Sequence, residues 1–217
     1  MSAKTKLAMW EIGCVIWVCV AGSMLHFAFE LTDYWTPMAL VAAVNESAWE
    51  HTKILFWPGL VFAIVQYTYT RHLHRNYWQG KAAALAVTAL AIFALYYGYM
   101  AALDIWGGSA NLQAMMTITV LGVSIGQFVS YRILTAEPFS PGTGRYAAVT
   151  FATLIAMFSL LTFFPPRVFL FENLFCYAYT GEYGILDDYE PYRIFTRGDD
   201  PSSANINYCD IKDEDNN

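Results

Sequence analysis

Charge is what this chain has least of. Only 14% of its 217 residues are Asp, Glu, Lys or Arg, where a soluble domain carries about 25%. Long stretches have no charge at all, and roughly 20 consecutive apolar residues cross a bilayer core. An ordinary soluble globule is therefore excluded first. The chain also lacks a basic stripe, which removes nucleic acid as a partner. It has no repeat of fixed period and no low-complexity block, so a solenoid or propeller is excluded. There are four cysteines, Cys14, Cys19, Cys176 and Cys209, and none forms the C-x-x-C spacing of a zinc ribbon or thioredoxin-type site.

What is present is hydrocarbon and aromatic: 57% hydrophobic residues and 17% Phe, Trp and Tyr. The net charge of −6 belongs mostly to the acid-rich C-terminal end, leaving the body nearly neutral. Five apolar runs are separated by polar punctuation: Met9 to Phe29, Ile54 to Tyr69, Ala82 to Leu103, Leu112 to Tyr131 and Tyr146 to Phe164. The first is too long for a signal-peptide core and carries Glu11, so it reads as an uncleaved membrane helix. Pro37 is set to open a new helix. Met38 to Val44 is too short to span and reads as a re-entrant or interfacial turn, or as the first turns of the next helix. Pro58 predicts a kink in the second run.

Lys and Arg gather at the N-terminus, in the loop from Arg71 to Lys81, and around Arg132 and Arg145. Positive-inside counting puts the N-terminus in the cytoplasm and the C-terminus outside, which requires an odd number of spans. Five satisfies it. The expected fold is an all-α, multi-pass bundle of five transmembrane helices in the cell membrane, over residues 1–165. An aromatic interfacial segment over 166–195 and an acidic, disordered tail over 196–217 complete the expected organisation. Cys176 and Cys209 would lie on the oxidising side and are the candidate disulfide.

Against this background, Asn45-Glu46-Ser47-Ala48-Trp49-Glu50-His51 is dense in chemistry. Ionisable groups at membrane depth are costly and are functional candidates by default. His26 and Glu30 stand four apart near the outer end of the first helix; Glu46 and Glu50 are also four apart, with His51 and Asn45 beside them. The topology brings both sets, and Asp104, to one side of the membrane. His26, Glu30, Glu46, Glu50 and His51 together suit a divalent metal such as zinc, iron or manganese. Glu46 or Glu50 is the candidate catalytic base acting on metal-activated water. Two other readings stay open: a network that pins helices, with the acids complementing a helix dipole, and a proton or polar-ligand site.

Asn45-Glu46-Ser47 is a formal glycosylation sequon set close to the membrane. Trp49 and Trp57 read as interfacial anchors. Gly122-Val123-Ser124-Ile125-Gly126 matches the serine-hydrolase elbow G-x-S-x-G, but in mid-helix, where Gly122, Ser124 and Gly126 make a close-packing face instead. Arg71-His72-Leu73-His74-Arg75 reads as a topology determinant rather than a metal tract.

The signature Asn45-Glu46-Ser47-x-Trp49-Glu50-His51-x-Lys53, with the His26 region and the Pro-containing helix that follows, resembles a prokaryotic family of small multi-pass membrane proteins. That family is known only as a domain of unknown function. Gly126-Gln127 and the ending Pro165-Pro166 … Leu170-Phe171-Glu172 … Tyr183-Gly184-Ile185 are similar too, over roughly residues 9–186. The resemblance implies the architecture and a focus on residues 45–53, and brings no activity. Expected functions are an outer-face site for a divalent metal or small polar ligand, a structural or accessory subunit of a membrane complex, and a small transporter. The expected partners are the lipid bilayer and either further copies of the chain or other subunits of a membrane complex.

Overall fold

The computed structural model describes residues 1–174 and 183–185. Five α-helices follow in order: α1 (Ala3–Leu31), α2 (Ala48–Thr70), α3 (Tyr77–Trp106), α4 (Leu112–Leu134) and α5 (Gly144–Leu160). A 3₁₀ turn, Thr36–Leu40, lies between α1 and α2, and another, Phe169–Phe171, follows α5. The residues from 41 to 47 are irregular, so Met38 to Val44 is not the start of α2. Pro37 does open the first of these turns. The chain leaves α1 through Asp33 and Tyr34, both at positive φ (52° and 57°), a conformation costly for residues with a Cβ. Cys176, Cys209 and the acidic tail lie outside the described residues.

Three helices, α1, α3 and α4, are long and apolar enough to cross a membrane. The other two expected spans form helices of different character. At 17 residues, α5 reaches only about 26 Å at 1.5 Å per residue, short of a core of about 30 Å. α2 is long enough, but its first turns carry Glu50, His51 and Lys53.

The bundle's surface is apolar where a soluble protein's would be polar. Met9, Ile12, Ile16, Val20 and Met24 are exposed along α1, while Glu11 on the same helix is buried. Lys53, Gln66, Thr70, Lys81, Gln127 and Ser130 are buried too. An apolar surface, with the charged groups drawn inside among apolar clusters, is the distribution that hydrocarbon demands.

Two charged knots hold the interior. Lys81 Nζ donates to both carboxylate oxygens of Glu11, at 2.7 and 2.8 Å, and Gln66 Nε2 donates to Glu11 at 2.8 Å. This knot joins α1, α2 and α3. Lys81, expected in a cytoplasmic loop, is thus a buried residue in the second turn of α3. The loop itself ends at Asn76, whose amide donates to the carbonyls of Ile133 and Glu137.

Elsewhere the helices close on small residues. α3 and α4 meet where Gly80, Ala84, Thr88 and Ile92 face Leu134, Ser130, Gly126 and Gly122. A Cβ on Gly126 would lie 2.6 Å from the Ala84 carbonyl oxygen and would clash with Thr88. The G-x-x-x-G reading therefore describes a real seam, with Ser124 half-buried beside it. Trp49 is not an interfacial anchor: it is 5% exposed and packs on Phe158 and Phe171 at 4.7 and 4.6 Å between ring centres.

Candidate metal centre

The seven-residue motif straddles the start of α2. Ser47 is its N-cap, with Oγ accepting from the Glu50 amide at 3.3 Å, so one of the orphan donors of the first turn is satisfied. Asn45 Oδ1 accepts from the Ser47 amide at 3.0 Å. Glu46 thus precedes the helix, and the four-residue facing rule that pairs Glu46 with Glu50 inside a helix does not apply to it.

The returning C-terminal segment clamps this loop. Asn45 Nδ2 donates to the Gly184 carbonyl at 2.8 Å, and the Glu46 amide donates to Asn173 Oδ1 at 3.3 Å. Glu172 and Tyr183 close the segment with an antiparallel bridge. The far end of α1 is brought up by a close approach. A Cβ on Gly22 would meet Leu55 Cδ2 at 2.7 Å and the Ile54 carbonyl oxygen at 3.2 Å. One turn beyond Gly22 comes His26, which therefore reaches the first turn of α2.

The result is a three-residue cluster of His26, Glu46 and His51, whose ligand atoms all lie within 4.8 Å of one another. The two Nε2 atoms stand 3.1 Å apart. Glu46 Oε1 is 3.5 Å from His26 Nε2, and Oε2 is 3.4 Å from His51 Nε2. His51 Nδ1–H donates to the Ser47 carbonyl at 2.9 Å, which leaves Nε2 as the nitrogen that faces the cluster. The side chains are 21%, 34% and 38% exposed for His26, Glu46 and His51, so a small solute can reach them.

Electrostatics follow from this geometry. Burial alone pushes the Glu46 carboxyl upward, but the interactions with His26 and His51 outweigh it and hold the group well below the usual carboxylate range. Burial likewise opposes charge on His51. The Glu46 carboxylate, the Ser47 carbonyl and the Glu50 charge override it and raise the imidazole from 6.5 to about 8. His51 lies ahead of the apolar stretch of α2, in the same polar layer as Glu46.

The remaining sequence-predicted residues are placed elsewhere. Glu50, one residue before His51, points about 100° away around the helix into the second charged knot. There it pairs with Lys53; Thr162 Oγ1 donates to Glu50 Oε1 at 2.7 Å, and the Val44 amide donates to Oε2 at 3.2 Å. Lys53 Nζ also donates to the Ala39 carbonyl and to Thr162 Oγ1, each at 2.8 Å. Glu30 lies one turn beyond His26 at the end of α1, and Asp104 is exposed near the end of α3. Neither belongs to the three-residue cluster. Sequence reasoning carried Lys53 only as the last residue of the signature, without a role, and passed over Thr162 and Asn173; the signal available for Lys53 was a lone cation two residues after His51 in an apolar run.

Fold and site together define a class: an all-α chain with three helices fit to cross a membrane, enclosing charged residues and carrying a His/Glu triad. Within that class the chain belongs to the Family of unknown function (DUF6512), whose model matches residues 1–185. Comparison with curated proteins and with solved structures gives no match.

Proposed function

We propose that this protein is a five-span membrane bundle with a mononuclear divalent-metal site built from His26 Nε2, His51 Nε2 and the Glu46 carboxylate. On the positive-inside count the site lies on the outer side and the N-terminus in the cytoplasm. The observation that carries the reading is the set of distances. His26 Nε2 and His51 Nε2 stand 3.1 Å apart, and the Glu46 carboxylate spans them, with Oε1 3.5 Å from the first and Oε2 3.4 Å from the second; lone pairs this close need a proton or a metal cation between them. A tetrahedral ion with bonds of 2.0–2.1 Å has edges of about 3.3–3.4 Å, close to these separations. The hydrogen bond from His51 Nδ1 to the Ser47 carbonyl is the second-shell contact that metal-bound histidines make.

Two histidines and one carboxylate with a fourth position open is the ligand set of hydrolytic zinc sites, and it also serves non-haem iron. Such an ion would bind water and lower its pKa. Glu46 then acts as ligand, not base, and Glu50 is committed to Lys53. The Lys53–Glu50–Thr162 knot and the Asn173 clamp hold the loop that presents Glu46. Residues 1–165 form the bundle in this reading, with the following segment as its outer cover.

Metal analysis of the full chain, purified in detergent and reconstituted with zinc, iron(II) or manganese, tests the proposal. One equivalent is expected for wild type and for Glu30→Gln, and less than a tenth of that for His26→Ala, Glu46→Gln or His51→Ala. A folded wild type that retains no metal under all three conditions refutes it. In that case variants that only lower thermal stability identify a helix-pinning network in an accessory subunit.

A further inference from the structure

At the opposite end of the bundle a cavity of about 500 Å³ opens between the ends of α2, α3 and α5. Its walls include Tyr67, Trp78 and Phe151, and its charged lining is Arg71 and Arg75, with His74 beside them. The aromatic wall is built, not incidental: Tyr67 packs on Trp78 at 5.0 Å between ring centres, and Trp78 on Phe151 at 5.9 Å. Neither arginine has a carboxylate partner among the described residues. Both are exposed, as are Lys4, Arg132 and Arg145 at the same end, while Glu137 is the one exposed carboxylate there among the described residues.

His74 does not add to this charge. Its Nε2–H faces Thr70 Oγ1 at 3.2 Å, since the Thr70 hydroxyl is already donating to the Gln66 carbonyl. Burial, reinforced by the positive charge of Lys81, lowers the imidazole to about 4, so it is neutral at neutral pH. The cavity therefore combines two guanidinium groups that have no carboxylate partner among the described residues with an aromatic wall, at the end of helices whose flanks are apolar.

We infer that this cavity is a binding site for the phosphate headgroup of an anionic phospholipid. Arginine forks match phosphate oxygens bidentately, and tyrosine and tryptophan take the interfacial depth where an acyl-glycerol backbone lies. A free phosphate would use the same arginines but gain nothing from the aromatic wall. This site is independent of the His/Glu cluster at the other end of α2.

The test uses the full chain in non-ionic micelles, with native mass spectrometry reading retained lipid. Phosphatidylglycerol is expected to be retained, and phosphatidylcholine to be lost. Arg71→Gln/Arg75→Gln should weaken phosphatidylglycerol binding roughly thirty-fold, from the usual contribution of two interfacial cations. Arg71→Lys/Arg75→Lys should bind more weakly than wild type but better than the Gln double variant, since lysine keeps the charge and loses the bidentate fork, and Lys4→Gln should change it less than about threefold for a cation outside the cavity. Equal retention of phosphatidylcholine, or unchanged binding in the Gln double variant with its unfolding transition intact, overturns the assignment. Displacement of the lipid by millimolar inorganic phosphate reassigns the cavity to free phosphate and overturns the lipid site.

Discussion

Lys81 offers the sharpest test of the buried charge. Read as a loop residue, it should tolerate replacement by methionine within about 0.5 kcal/mol, as exposed positions do. In the structure its side chain is 3% exposed and donates to both oxygens of a Glu11 carboxylate that is 5% exposed. Lys81→Met strands that carboxylate in the bundle with only Gln66 as a donor. Removing one member of such a pair costs about 3–5 kcal/mol, which corresponds to a drop of roughly 6–20 °C in Tm for a chain of this size. The neutral double variant Glu11→Gln/Lys81→Met should recover most of the loss, because an amide at position 11 can still accept from Gln66. Thermal unfolding in detergent, followed by tryptophan fluorescence, measures all four corners of the cycle. A loss below about 1 kcal/mol for Lys81→Met, or simple additivity in the double variant, would refute the buried pair.

Two further outcomes bear on the His/Glu cluster. A proton on His51 competes with metal, so affinity should rise with pH until the imidazole is neutral; with His51 at about 8 the gain from pH 6 to 8 is about fifty-fold, against about four-fold for an ordinary histidine. Competition with a chromophoric chelator across that range checks it, and a four-fold gain would show that Glu46 does not hold the His51 proton. In metal-free protein the sign is opposite: the raised His51 stabilises fully below 6.5 and is lost as pH passes about 8, and the lowered Glu46 stabilises above 4.5 and is lost on acidification, so Tm should fall at both ends. Separately, Gly22→Ala should part α1 from α2 by a few tenths of an ångström at Ile54 and weaken metal roughly ten-fold, the usual effect of disturbing support for a ligand. Unchanged affinity in a folded Gly22→Ala protein would mean that His26 is not placed by that contact.

The amino-acid sequence by itself determined the class and the layout. Apolar runs and Pro37 are local signals, and helices cannot ignore them; the five helices fall where the runs do. Gly122 and Gly126 also spoke locally, because only close helix contact explains two glycines four apart in such a run. The tertiary structure decided which ionisable groups meet. Glu50 and His51 are neighbours in the chain, yet helical rotation sends one to Lys53 and Thr162 and the other to His26. Glu46 joins them because it lies before the N-cap, in a loop held by Asn173 and Gly184, residues more than a hundred positions away. Lys81 shows the same limit from the other side. Its place six residues after Arg75 reads as solvent, but a helix that starts at Tyr77 carries it one turn inward to Glu11. Local pattern sets where helices begin and end; rotation, close glycine contacts and long-range clamps set the chemistry between them.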